Sequence, residues 1–198
     1  MSSVKIAVVG PKGVGKSIFA NALAGDFTDY GDMPTVGVRI REFRMALESE
    51  DSSATVELWD LSGDLKYEST WPAVTQGLNG LAVMYNPKDK MQSKEVNIWM
   101  EAFCKNSNLT SGQVIILALN LPPHQQPKPI SFDGKDGPIK IPIVGLQMPA
   151  KPKSAQDVGF SGRLSFSTFV DTCYQMHPDH QALDDEDDAF LDGGAQQE

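Results

Sequence analysis

A chain of 198 residues with 17 lysines and arginines against 26 aspartates and glutamates carries a formal net charge of −9. That length suits one domain with a tail, and the acidic balance argues against nucleic acid or an anionic membrane as a general partner. Hydrophobic residues make up 40%, enough for one core. No apolar run approaches the roughly 18 residues of a membrane span, and Cys104 and Cys173 form neither a metal spacing nor a disulfide framework.

The N-terminus, MSSVKIAVVG, runs straight into a β-branched apolar stretch, Val4 to Val9, which predicts a strand and no signal peptide. Gly10-Pro11-Lys12-Gly13-Val14-Gly15-Lys16-Ser17 then fits G-x-x-x-x-G-K-[ST] in full. Ile18 to Ala24 opens an Ala-rich helix behind it. Strand, glycine loop and helix are the context this pattern requires. Backbone N–H groups around Gly13, Val14, Gly15 and Ile18 can converge on phosphate oxygens, helped by the positive end of the helix. The Lys16 ammonium suits the β and γ phosphates, and the Ser17 hydroxyl suits Mg²⁺. A glycine turn that binds nothing is the alternative, and the flanking elements disfavour it.

Gly25 to Thr35 is polar and reads as a loop. Val36 to Leu47 predicts a strand whose apolar phase slips: Val36, Val38 and Ile40 lie on one phase, Phe43, Met45 and Leu47 on the other. Such a slip predicts a bulge or twist. A polar turn follows, and Ala54 to Trp59 predicts the second strand of a hairpin. Leu61 to Gln76 has weak helical character, Leu81 to Tyr85 predicts a buried strand, Lys88 to Lys105 an amphipathic helix, and Val114 to Leu119 another buried strand. Asn120 to Pro142 holds six prolines, which no regular helix accommodates. Ile139 to Leu146 is expected to contain the last strand, Pro149 to Val158 a linker, and Phe160 to His177 a helix bearing Cys173. From Asp179 the run Asp184-Asp185-Glu186-Asp187-Asp188 predicts a disordered acidic tail. The expected organisation is a domain over 1–178 and a tail over 179–198.

Alternating strands and helices predict a mostly parallel sheet with helices on both faces, whose ligands sit beyond the strand C-terminal ends. Thr35, in Pro34-Thr35-Val36-Gly37, could ligate Mg²⁺ when a γ-phosphate is present. Asp60, ending a strand in Trp59-Asp60-Leu61-Ser62-Gly63, could hold the Mg²⁺ shell through water, and the Gly63 N–H could meet the γ-phosphate.

GPKGVGKS, PTVGV and WDLSG together resemble the Ras/Rab superfamily of small GTPases across Val4 to Leu119. PTVGVRIREF followed by ELWDLSGDLKYESTWPA is similar, more narrowly, to an atypical Rab-like family of intraflagellar transport GTPases. The resemblance implies an α/β P-loop small-GTPase fold: a six-stranded, mostly parallel sheet with one antiparallel edge strand and helices on both faces. It implies GTP or GDP with Mg²⁺ as ligands. The implied nucleotide contacts are Gly13, Val14, Gly15, Lys16, Ser17, Ile18, Thr35, Gly63 and Asn120, with Ser17, Thr35 and Asp60 on the metal. It further implies a cytoplasmic and ciliary or flagellar subunit of intraflagellar transport complex B, with coiled-coil subunits 74 and 81 as partners.

The chain departs from the superfamily pattern in four places. Asp64 stands where a water-orienting glutamine is usual, so no catalytic residue is assigned and hydrolysis is expected to be slow or absent. Lys12 replaces a glycine of the phosphate loop; it is a solvated side chain or an added phosphate contact. Asn120-Leu121-Pro122-Pro123 replaces Asn-Lys-x-Asp, so guanine recognition is implied by family alone; Gly145-Leu146-Gln147 takes the likely place of Ser-Ala-Lys. The chain ends Ala195-Gln196-Gln197-Glu198 with no cysteine to prenylate, which predicts no lipid anchor.

Arg39, Arg41 and Arg44 are three of only four arginines and share one edge strand. They read either as a charged edge that blocks aggregation or as a docking stripe for an acidic partner. Trp71 reads as core or as an interface anchor. A pseudo-GTPase adaptor is the second functional reading. A P-loop kinase is the third, disfavoured because such enzymes need several arginines around the phosphates.

Overall fold

The computed structural model describes residues 3–27, 33–47, 52–105, 107–121, 130–134, 137–141, 143–154, 157–160 and 166–177. The expected acidic tail, the prolines from Pro122 to Pro129, Leu164 and most of the turn after Leu47 lie outside them.

Strand β1 (Ser3–Val9) leads into helix α1 (Lys16–Leu23). The hairpin β2 (Val38–Ala46) and β3 (Ser53–Leu61) follows. A 3-10 turn at Leu65–Thr70 runs into the short helix α2 (Trp71–Thr75), with Pro72 in its first turn, where a missing N–H costs nothing. Then come β4 (Gly80–Tyr85), α3 (Lys90–Cys104) and β5 (Val114–Leu119). α3 starts where it does because the Asp89 carboxylate accepts from the N–H groups of Met91 and Gln92.

The main sheet has the order β2-β3-β1-β4-β5-β8-β9, where β8 is Ile143–Gln147 and β9 is Gly159–Phe160. β3, β1, β4, β5 and β8 are parallel; β2 is antiparallel at one edge. Those six strands are the sheet the sequence predicts. The two-residue β9 adds a short antiparallel pairing at the other edge. Phe160 therefore belongs to a strand, and the last helix, α4, spans Phe166–Gln175.

Two apolar layers hold the sheet. Phe19 of α1 and Phe166, Phe169 and Val170 of α4 cover one face over Val4, Ile6, Val8 and Leu58. Trp71, Trp99, Met100 and Phe103 cover the other over Ala7, Val9, Leu81 and Val83. Trp71 is thus core: it is 5% exposed and packs on Trp99 with ring centroids 4.7 Å apart. Cys173 is buried and Cys104 half-buried, and burial pushes both thiols up to about 12.

One expectation needs correction. The phase slip in β2 predicts a bulge or twist, and no bulge occurs: the register runs unbroken from Val38 opposite Leu61 to Ala46 opposite Ser53. The slip has a chemical cause instead: arginines occupy inward positions at the start of the strand. The proline-rich stretch, from which the sequence excludes a regular helix, forms strands among its described residues. Ile130–Gly134 (β6) and Gly137–Ile141 (β7) form a separate antiparallel hairpin, which packs through Ile130 and Ile141 on the Trp99 side. Prolines bar helix but allow a short two-stranded ribbon.

Candidate functional site

The parallel strands β1, β3 and β4 end on one side, and the loops leaving β1 and β3 meet there. A cavity of about 280 Å³ is lined by Gly13, Gly15, Lys16, Ser17, Ile18, Thr35 and Gly63, among others. Val14, between the lining glycines, turns inward and is 2% exposed, anchoring the loop to the core.

Two glycines explain why these loops can approach. Gly15 precedes α1 with φ 94 and offers no side-chain cap, so a left-handed residue leaves the first helical N–H groups pointing into the cavity. Gly63 lies so close to the phosphate loop that a Cβ there would sit 2.4 Å from the Lys12 nitrogen. Ser62 ties the end of β3 to the segment before β2, its N–H donating to the Gly37 carbonyl at 2.8 Å.

Lys16 is 6% exposed, and its ammonium donates to the carbonyls of Gly10 and Pro11 at 2.7 and 2.8 Å. Burial pulls its pKa down to about 8, partly offset by the charges of Asp60 and Glu95. A buried ammonium of this kind gains from an arriving polyanion, which supplies the counter-charge that the fold supplies only in part.

The second cluster is oxygen-rich. The hydroxyls of Ser17 and Thr35 are 2.7 Å apart, and the Thr35 hydroxyl donates to Asp60 Oδ2 at 3.1 Å. β3 extends past Asp60 to Leu61, so Asp60 lies within the strand and is fully buried. Its Oδ1 has no hydrogen-bond partner among the described residues. Two hydroxyls and one carboxylate with a buried orphan oxygen fit a hard, hydrated divalent cation completed by phosphate oxygens. Ser17, Thr35 and Asp60 are the residues that would hold it, and it would supply charge neutralisation between phosphates.

Other expected residues stand apart. Asn120 adopts φ 52, its N–H donates to Leu146 O at 2.7 Å, and its side chain accepts from the Met148 N–H at 3.5 Å. It does not line the cavity. Leu121, at the position of the usual lysine, is 4% exposed and belongs to the core. Asp64 faces lysines rather than the cavity: Lys66 lies 3.2 Å away and Lys12 4.0 Å. The Lys66 backbone N–H, and then its ammonium, hold the Asp64 carboxyl below the ordinary carboxylate range.

Sequence reasoning missed Arg39 and Met148. Arg39 donates to Asp60 Oδ2 at 3.1 Å, and the misplaced phase of β2 was its only signal. Met148 lies against the phosphate loop, where a Cβ on Gly15 would meet its methyl group at 3.2 Å; nothing local marks it.

This sheet order, phosphate loop and pair of converging switch-like loops define a Ras-like P-loop protein of the small-GTPase class. The family described as Ras of Complex, Roc, domain of DAPkinase matches residues 5–121. Intraflagellar transport protein 22 homologues are similar: 40% identity over 62% of this chain and 68% of the Danio rerio protein, 35% over 72% and 75% for Bos taurus, and 32% over 60% and 62% for Chlamydomonas reinhardtii. The chain belongs to the intraflagellar transport protein 22 family. A solved structure, the GTP-bound T. brucei IFT22/74/81 crystal structure, has TM-score 0.61 and 24% identity, covering 93% of this chain and 99% of that one. At that identity the likeness concerns the fold.

Proposed function

We propose that this chain is a guanine-nucleotide-binding subunit of intraflagellar transport complex B in the cilium or flagellum, its base and the cytoplasm. It binds GTP and GDP with Mg²⁺, hydrolyses GTP slowly or not at all, and assembles with coiled-coil subunits 74 and 81. Gly13, Val14, Gly15, Lys16 and Ile18 hold the phosphates through backbone and ammonium groups. Ser17, Thr35 and Asp60 serve the metal, Gly63 meets the γ-phosphate, and Asn120 lies toward the base. The domain spans 1–178 and the acidic remainder is a tail.

The observation that carries this reading is the convergence of Ser17, Thr35 and Asp60 oxygens within 3.1 Å steps beside the buried Lys16 ammonium. A Gly-rich turn with no ligand has no reason to bury a lysine and an aspartate together. Support for the assembly comes from the family, since a similar solved structure pairs IFT22 with 74 and 81 in its GTP-bound form.

Titration calorimetry with GTP, GDP and ATP in Mg²⁺ tests the reading. Selective binding of GTP and GDP, lost in Lys16→Ala, is expected. One observation favours a second reading, a structural adaptor with vestigial nucleotide: Leu121 is buried where the lysine of Asn-Lys-x-Asp is usual. Absence of binding by all three nucleotides at high micromolar concentration, with assembly onto 74 and 81 intact, would establish that adaptor.

A further inference from the structure

Along β2 the odd-numbered residues face α1. Phe43 and Met45 pack against the core there, while Arg39 and Arg41 take the two inward positions nearer the phosphate loop. Ile40, on the opposite face, is 51% exposed. Turning arginine inward and isoleucine outward is unfavourable at both positions, so each arginine needs a partner. Arg41 pairs with Asp26 at 3.1 Å and donates to Asn21 Oδ1 at 3.0 Å, which ties β2 to the end of α1. Arg39 has a different kind of partner. The register sets it directly across from Asp60. Its Nη2 donates to Asp60 Oδ2 at 3.1 Å and to the Thr35 hydroxyl at 3.4 Å. Lys16, the other cation close by, spends its hydrogen bonds on the Gly10 and Pro11 carbonyls.

We propose that Arg39 is a built-in counter-ion of the metal site: its guanidinium neutralises Asp60 when no divalent cation is bound and competes for that carboxylate when one enters. The proposal rests on the nucleotide and Mg²⁺ reading above. A fully buried carboxylate is costly unless paired, and Arg39 supplies that pair from within the chain. A divalent cation entering the same oxygen cluster meets a fixed positive charge sharing Asp60 and Thr35, and like charges a few ångströms apart repel. Metal entry therefore loosens the guanidinium. Because Arg39 and Thr35 are four residues apart on one continuous segment, the position of the Thr35 loop is coupled to which cation Asp60 holds. The site then tolerates loss of its metal better than one whose carboxylate is left bare.

The test uses the full chain, with Arg39→Met to remove the charge while keeping the stem and Arg39→Lys to keep it. Two quantities are read: Mn²⁺ affinity of the GDP-loaded protein by electron paramagnetic resonance, and the melting temperature without nucleotide in EDTA. Arg39→Met is expected to bind Mn²⁺ on the order of fivefold more tightly or better and to melt lower in EDTA, with Arg39→Lys near wild type in both. Unchanged or weaker Mn²⁺ binding by Arg39→Met would overturn the proposal and leave Arg39 as a mere positioner of Asp60. If Arg39→Met does not fold, the Arg39 guanidinium resonance of the wild-type protein gives the answer: it shifts on adding Mg²⁺ to the GDP-loaded form, and a fixed resonance overturns the idea. Wild-type protein that binds neither GDP nor Mn²⁺ instead sinks the nucleotide reading, and with it the competition proposed here.

Discussion

The hydroxyl of Ser17, on the first turn of α1, lies 2.7 Å from the hydroxyl of Thr35, eighteen residues on. That hydrogen bond is one of several that hold Thr35. The loop is also held by the Ser62–Gly37 backbone bond and by the Asp60 carboxylate accepting from Thr35. Separating the two contributions gives a first prediction. Thr35→Val, which keeps the shape and removes the hydroxyl, is expected to weaken Mg²⁺-dependent GTP binding about tenfold and to leave GDP binding nearly unchanged. Ser17→Asn is expected to weaken both. Titrations of each nucleotide at fixed Mg²⁺ read the difference, and equal losses for GTP and GDP in Thr35→Val would remove Thr35 from the γ-phosphate side.

Lys16 carries a pH prediction. Burial lowers its pKa to about 8 in the free protein, and a bound polyphosphate favours the ammonium. Below pH 8 free protein and complex both hold the proton, so pH has no leverage. Above it the free protein releases a proton that the complex keeps, and nucleotide affinity is expected to fall by about tenfold per pH unit. The stability term has the opposite sense: the penalty for burying the charged amine is full below pH 8 and is relieved as pH rises toward 10.5. Calorimetry with GDP across this range, beside thermal melts of nucleotide-free protein, checks both signs. A flat affinity profile would place Lys16 away from the phosphates.

Asp64 is held by Lys66 and Lys12 and stays ionised at neutral pH. It accepts from the Lys66 N–H and caps the following turn. A carboxylate so held cannot donate a hydrogen bond to an attacking water. Asp64→Gln is expected to raise the single-turnover rate of GTP hydrolysis by roughly tenfold or more without changing GDP affinity. An unchanged rate would move the deficit to another group.

Trp71 follows directly on the 3-10 turn and could pass for a surface anchor by its place in the chain. Its packing on Trp99 and Phe103 says otherwise. Trp71→Ala is expected to lower unfolding free energy by about 3–5 kcal/mol, measured by urea denaturation. The proposed binding to 74 and 81 is expected to survive in the folded fraction, and a selective loss of binding at unchanged stability would return Trp71 to the surface.

Much of this was legible from local pattern. Strand β5 has the predicted bounds, and β1, β3, β4 and α3 fall within a residue or two, because apolar runs and an Asp cap act over a few neighbours. The phosphate loop was legible for the same reason: its glycines, lysine and serine are contiguous. What escaped were features with partners far along the chain. Arg39 reads as an edge charge until Asp60 is set opposite it, and nothing local to Asn120 announces the Met148 N–H that donates to its side chain from just past β8.

Spacing alone settled the order of the six main strands and the helices between them, the G-x-x-x-x-G-K-[ST] loop and the residue types able to meet a metal, since each depends on backbone geometry within one or two turns. Packing settled the rest. It buried Trp71, folded part of the proline-rich stretch into a ribbon over the core, kept Asn120 and Leu121 out of the cavity, and turned Arg39 inward onto Asp60. Those outcomes depend on which buried charges and apolar faces find partners dozens of residues away, and burial decides them only when the sheet is assembled.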